Sequence, residues 1–312
     1  MEVKNMAFTA KDVAALRERT NCGMMDCKKA LTEADGNMDK AIEILREKGL
    51  AAATKKAGRI AAEGVVTSVV DEAKKIGVVL EVNSETDFVA KNPIFNEFVA
   101  ALAKIVLEQN PADVDALKAC VGPDGMTVEK MLQEKVMTIG ENIQIRRFVR
   151  LEGDLVSYVH GGGKIGVMVK FDTDLGDKEA FKVYGKDVAM QIAAINPSYV
   201  RKEDVPADEV AKEKEILIAQ AQQDPKNANK PANVLEKMVE GRLNKKFYQD
   251  ACLLEQPFVK DGNITVSQYT KNTAKELGGK IEVVSFIRFE KGEGIEKKQE
   301  NFAEEIAKQL NK

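Results

Sequence analysis

A chain of 312 residues, 44% apolar and 31% charged, is long enough for a real core and for two or three modules. Its 47 basic and 50 acidic side chains leave a net charge of −3, so no global basic field drives direct binding to nucleic acid. No run approaches the ~18 apolar residues of a membrane span, residues 1–9 lack the apolar stretch of a secretory signal, and Cys22, Cys27, Cys120 and Cys252 are scattered as in a reduced, cytoplasmic protein.

Residues 1–50 form the first module. Thr9 with Asp12 three residues on reads as a capping box, and Val13 and Leu16 mark one apolar helical face. After a turn at 20–23, Met24 and Met25 lead a second helix carrying Cys27, Ala30 and Leu31. A turn at 35–37 precedes a third helix, with Ile42 and Leu45 on one side and Gly49 as its C-cap. Three short helices with tight turns make a small bundle that resembles the ubiquitin-associated type of domain. Residues 51–62, rich in Ala and Lys and without a clear apolar face, read as a linker with helix-forming composition.

A strand pattern follows. Val65, Val66, Val69 and Val70 precede a turn at 71–75, and residues 76–82 are a nearly continuous β-branched run. Asn92-Pro93 opens a helix with Pro at its first position, and Phe95, Phe98, Val99, Leu102 and Val106 form its apolar face. The pattern recurs. Glu63-Gly64, Ser68, Val70 and Lys75-Ile76-Gly77-Val78 match Glu152-Gly153, Ser157, Val159 and Lys164-Ile165-Gly166-Val167 at a constant offset of 89 residues. A hairpin-then-helix unit therefore occurs twice. Two related subdomains are expected, one at 63–149 and one at 150–205 that resumes at 251–290.

Residues 206–250 interrupt the second as a helical hairpin. Pro206 opens one helix with Val210, Leu217 and Ala221 on a face, residues 224–231 turn, and Val234, Leu235, Met238, Leu243 and Phe247 stripe the return. So thin an insertion is not expected to bury its own stripe. Packing on a second copy, as a homodimer, or on a partner is expected instead. A helix at about 265–277 and a strand at 280–289 come next, the strand alternating Ile281, Val283, Ser285, Ile287 and Phe289. The module 291–312 ends in a helix with Phe302, Ile306 and Leu310 on one face. The expected fold class is α+β: a three-helix bundle, a core of two related α+β subdomains with antiparallel strands, an inserted helical hairpin and a C-terminal helix.

Side chains for chemistry are scarce. There is one histidine, His160, no tryptophan, and no G-x-S-x-G elbow for a hydrolase. Cys22 and Cys27 lack a second pair or a nearby His to complete a zinc site, so they read as buried thiols. Asp172, Asp174 and Asp177 fail the calcium-loop pattern, because Gly176 and Val183 stand at its fifth and twelfth positions. Arg146 and Arg147, flanked by Ile145 and Phe148, read as the polar side of a strand. No metal, cofactor or catalytic residue is expected.

Four stretches carry a family resemblance: LRERTNCGMMDCKKALTEADG at 16–36, EVNSETDFVAKN at 81–92, GENIQIRRF at 140–148 with SYVHGGGKIGV soon after, and FIRFEKGEGIEK near the C-terminus. In this order and spacing the chain resembles the elongation factor Ts family over almost its whole length. Residues 1–5 are extra to that pattern, with Met6 a candidate start, and the run Gly161-Gly162-Gly163 differs from the usual mixed loop. The resemblance implies a guanine nucleotide exchange factor without covalent chemistry of its own. Such a factor binds elongation factor Tu loaded with GDP, disturbs its Mg²⁺ and phosphate sites, and promotes GDP release so that GTP can bind.

The candidate residues each carry two readings. Thr86, Asp87, Phe88 and Val89 read from chemistry alone as a strand-to-helix turn in which Thr86 caps and Phe88 joins the core. The resemblance implies that the segment enters the GTPase domain near the Mg²⁺, with Phe88 as a wedge and Asp87 fixing its register. His160, beside Gly161, is by itself a surface hairpin residue, and its counterpart in the repeat is Asp71. The resemblance implies a contact near the partner's phosphate-binding loop. Met24 and Met25 either fill a small core or form an adaptable exposed contact with Arg17 as a polar anchor. The resemblance implies that this module docks on the GTPase domain, as do Phe302, Ile306 and Leu310. Two rivals come from other classes. One is an adaptor whose residues 1–50 suffice for binding; the other is an enzyme built on His160 with acids such as Asp172.

Overall fold

A computed structural model of the chain describes residues 8–20, 22–223 and 230–296. It is an α+β protein of helices and antiparallel strands in two compact units. The first comprises the described residues of Met1–Thr67, Leu80–Phe148 and Glu290–Lys312; the second comprises Ser68–Val79 and Val149–Phe289. The expected helix at 298–310, with Phe302, Ile306 and Leu310, lies outside the described residues.

The first unit begins with α1 (Ala10–Thr20), α2 (Met24–Glu33) and α3 (Met38–Lys56). The Thr9 N–H donates to Asp12 Oδ2 at 2.7 Å and the Asp12 N–H to Thr9 Oγ1 at 3.4 Å, the reciprocal pair of a capping box. The backbone bond from Thr9, then the one from its hydroxyl, lowers the pKa of the Asp12 carboxyl. Val13, Leu16, Cys27, Ala30, Leu31 and Leu45 close the core of the bundle. Asn37 caps α3 by accepting from the Lys40 N–H at 3.0 Å.

One expected boundary is corrected. The helix does not stop at Gly49 but continues to Lys56, through residues expected to be linker. The run LAAATKK has high helix propensity, and α3 gains tertiary support by packing along a later helix, α7 (Val128–Ile139). Gly49 lies at that contact, in ordinary helical conformation. A methyl built there would meet Met137 Sδ at 3.5 Å and the Gln133 carbonyl at 3.6 Å, which is normal van der Waals distance. Gly49→Ala is therefore expected to stabilise the chain by about 0.5–1 kcal/mol, because alanine loses less backbone entropy in a helix. Urea denaturation of the two forms reads this directly, and a lower midpoint for the variant would contradict it.

After α3 come β1 (Glu63–Asp71), β2 (Ile76–Ser84), α4 (Asp87–Ala90), α5 (Pro93–Gln109), α6 (Val114–Ala119), α7 and β3 (Gln144–Glu152). The strands form a three-stranded sheet in the order β1-β2-β3. Asn92 caps α5 by accepting from the Ile94 N–H at 2.9 Å, with Pro93 at the first position. Phe95, Phe98, Val99, Leu102 and Val106 are buried as expected. Glu81, inside the apolar run of β2, is completely buried. Its carboxylate receives Arg146 at 2.9 Å, Arg147 at 2.6 Å, the Gly292 N–H at 2.8 Å and Asn83 Nδ2 at 3.1 Å. The arginine pair of β3 thus faces a buried anion.

The second unit contains β4 (Asp154–His160), β5 (Ile165–Thr173), α8 (Glu179–Ile195), α9 (Ala207–Gln223), α10 (Ala232–Arg242), α11 (Tyr248–Ala251), β6 (Pro257–Phe258), β7 (Asp261–Thr265), α12 (Val266–Leu277) and β8 (Ile281–Glu290). β4 and β5 pair antiparallel from Asp154 opposite Phe171 to His160 opposite Ile165, and β8 completes the sheet. α8 covers β4 and β5, and Phe171, Phe181, Tyr184 and Val188 lie in the shared core. The duplication read from sequence extends to the helix ends. α5 and α8 both stop at an asparagine in the left-handed region, Asn110 at φ 47° and Asn196 at φ 54°.

The helical hairpin departs from expectation. α9 and α10 do bury a stripe between themselves: Leu217, Ala221, Val239 and Leu243 are buried, with Val210, Leu235 and Phe247 packed against them. Two antiparallel helices need only one seam for this. Val234, expected in the stripe, is exposed together with Ile216 and Ile218. Among the described residues, no helix is long and apolar enough to cross a membrane.

Candidate partner-binding site

Phe88 does not join the core. It is 78% exposed in the single turn α4, while its neighbour Val89 is buried at 7% and anchors the turn. Thr86 stands at the N-cap position, yet its hydroxyl makes no capping bond. It donates instead to Glu141 Oε1 at 2.6 Å, and the Thr86 N–H donates to Glu141 Oε2 at 3.0 Å. Asp87 is exposed and pairs with Lys91 one turn on, at 3.1 Å. The C-terminal side is tied down as well, because Asn96 Nδ2 donates to the carbonyls of Ala90 and Asn92, each at 3.0 Å. A large aromatic ring thus projects from a backbone that hydrogen bonds hold on both sides.

Met24 and Met25, 44% and 63% exposed, occupy the first turn of α2 on the same unit. They do not fill the bundle core. Arg17 is also exposed, on α1. Unbranched, polarisable methionines suit an adaptable apolar contact.

In the second unit, His160 ends β4, exposed, with Nδ1 3.0 Å from the Tyr158 hydroxyl. Gly161, Gly162 and Gly163 have φ of 58°, 63° and 95°, so three consecutive residues need the left-handed region that glycine enters without strain. Val159, 39% exposed, extends this hairpin tip.

Two features weigh against an enzyme on His160. The β4–β5 register places Asp172 beyond the Asp154–Phe171 pair, at the opposite end of the hairpin, about 23 Å from His160 at ~3.3 Å per strand residue. There it pairs with Lys280 at 2.5 Å. The thiols are no better placed as nucleophiles. Burial pushes Cys22 and Cys27 up and raises Cys252 to about 11, opposite to an activated thiolate.

The family model described as Elongation factor TS matches residues 85–293. Elongation factor Ts of Clostridioides difficile (strain 630) is 50% identical over 305 residues, covering 97% of this chain and 99% of the relative. The chain belongs to the elongation factor Ts family. Elongation factor Ts of Clostridium botulinum (strain Eklund 17B / Type B) is likewise 50% identical over 308 residues, 98% of this chain and 100% of the relative. As a member of the elongation factor Ts family, the chain is a protein of translation elongation. The family match takes in the Thr86–Val89 turn and the His160–Gly161 tip, whereas Arg17, Met24 and Met25 fall under the near full-length relatives alone. Glu141 was not singled out from the sequence. It lies 55 residues from the turn it holds, and no local spacing signals such a pair.

Proposed function

We propose that this member of the elongation factor Ts family is a guanine nucleotide exchange factor of elongation factor Tu. It would bind the GDP-loaded partner, disturb its Mg²⁺ and phosphate sites, and let GDP leave so that GTP binds. The observation that carries this reading is Phe88, a large apolar side chain held out in water by a fixed turn. Such a ring is a liability to the free chain and an asset at an interface. Thr86 and Asp87 set its register, and Val89 roots the turn. His160 and Gly161 form a second contact towards the phosphate side of the partner. Arg17, Met24 and Met25 dock the N-terminal module, and Phe302, Ile306 and Leu310 add a weaker contact.

Several contacts are needed on energetic grounds. A nanomolar nucleotide is held by about −12 kcal/mol. Loosening it a thousandfold takes about 4 kcal/mol of differential binding, whereas burying one phenylalanine supplies roughly 1.5–3 kcal/mol. Phe88 alone falls short, so loss of the partner's Mg²⁺ contacts and the other docking surfaces share the remainder.

Linkage gives the test. Whatever factor the chain takes off the affinity of elongation factor Tu for GDP, GDP must take off the affinity for the chain. Calorimetric titration of the chain into nucleotide-free and GDP-saturated partner is expected to show weaker binding to the GDP form. Equal affinity for both forms would rule out exchange activity. His160→Ala is expected to slow exchange by about three- to tenfold, the worth of one or two polar contacts, with no change in melting temperature because His160 is exposed. Unchanged exchange in that variant would remove His160 from the interface.

A further inference from the structure

We infer that Glu141 is a positioning residue that holds the Phe88 turn ready for insertion; the inference rests on the exchange reading above. Its carboxylate accepts from three donors on one short segment. These are the Glu85 N–H at 3.0 Å, the Thr86 N–H at 3.0 Å and the Thr86 hydroxyl at 2.6 Å. Two consecutive backbone N–H groups bound to one carboxylate fix the chain direction immediately before α4. The tie is reciprocal, since Glu85 Oε1 accepts from the Asn142 N–H at 2.6 Å, and Asn142 Nδ2 donates to the Arg59 carbonyl at 2.7 Å. Ser84 Oγ closes the turn on the Thr86 carbonyl at 3.0 Å.

Glu141 is itself rigidly delivered. It follows Gly140, which ends α7 in the left-handed region at φ 88°, and α7 packs on α3 and α5. The end of a helix packed on α3 and α5 therefore sets the position of an exposed wedge. The clamp bonds residues 85 and 86 and leaves Phe88 78% exposed, so it acts on the placing of the ring rather than on its contact area. Its effect is on entropy: a wedge on a loose loop must be ordered when it binds, and one already ordered need not be. Without the carboxylate, the two N–H groups would turn to water and the segment before Phe88 would loosen.

The test is a double-mutant cycle read as release of fluorescent GDP from elongation factor Tu. Glu141→Ala is expected to slow release about five- to tenfold, the cost of ordering a short segment at the interface. Glu141→Gln, which keeps one acceptor oxygen, should fall between. In a Phe88→Ala background, Glu141→Ala should cost less than about a further twofold, because positioning matters only while the wedge is present. An equal loss in both backgrounds, or release by Glu141→Ala within about twofold of the unaltered chain, would overturn the inference. If the unaltered chain itself fails to speed release, the exchange reading falls first and the inference falls with it. Amide hydrogen exchange on the free chain separates the clamp from the activity. Glu141→Ala should expose the Glu85 and Thr86 amides while α5 and α7 stay protected; unchanged protection at 85 and 86 would refute the clamp whatever the release assay gives.

Discussion

Phe88→Ala is expected to slow chain-promoted GDP release by about 10- to 100-fold while folding stability changes by less than ~0.5 kcal/mol. The two halves of this expectation come from one observation. The ring is 78% exposed, so truncation removes little buried area from the free chain and leaves no core cavity. At a partner surface the same ring would be covered, and roughly 1.5–3 kcal/mol of apolar burial would be lost, which is the stated range of rates. Stopped-flow release and a urea melt on one preparation check both halves. A variant that unfolds early would mean that Phe88 supports the fold after all. One that exchanges at the original rate would remove it as the wedge.

Glu81→Ala is expected to act in the opposite way, costing about 3–5 kcal/mol of stability at neutral pH through the loss of a fully buried carboxylate. Glu81 is completely buried, and Arg146, Arg147, Asn83 and the Gly292 N–H converge on it. Removing it takes the shared carboxylate from two guanidinium groups that are only 25% and 31% exposed, and leaves Arg147 with Glu293 alone as an acidic partner. Burial alone would raise the pKa of Glu81. The Gly292 N–H, the two arginines and Asn83 together outweigh burial and hold the carboxyl below its ordinary value. A group depressed in the folded state stabilises above its unfolded pKa and loses that contribution as pH falls through the folded value. The unaltered chain should therefore lose stability on acidification below the ordinary glutamate range, and Glu81→Ala should show a flatter acid limb. Urea denaturation across that range measures both. A loss under about 1 kcal/mol at neutral pH would show that the network is not needed for the fold.

Much of the fold was legible because it rests on local signals. Asn92-Pro93, the Thr9–Asp12 box and the alternation of residues 281–289 encode their elements within a few residues. The repeat at an offset of 89 exposed the duplication without any contact information. The failures share a cause, which is tertiary contact between distant segments. Gly49 was expected to end a helix because glycine usually does; α7, some eighty residues on, keeps that helix going. The hairpin stripe was assigned outward because the mutual seam of α9 and α10 cannot be read from either helix alone. Glu81 was not singled out, because its two arginines lie 65 and 66 residues away and no local spacing signals the network.

The candidate site was legible by composition and misread by position. Thr86-Asp87-Phe88-Val89 could be picked out, yet chemistry alone put Phe88 inside and gave Thr86 a capping bond that it does not make. The true partner of Thr86 is Glu141, fixed by the left-handed turn at Gly140. Met24 and Met25 had balanced readings, and their exposure decides for the surface.

The most direct measurement is the rate at which fluorescent GDP leaves elongation factor Tu, with excess unlabelled nucleotide, in the presence and absence of the chain. Release is expected to rise with the concentration of the chain and then saturate, by two or more orders of magnitude for about 3–4 kcal/mol of coupling. A release rate that stays at its intrinsic value at every concentration would contradict it.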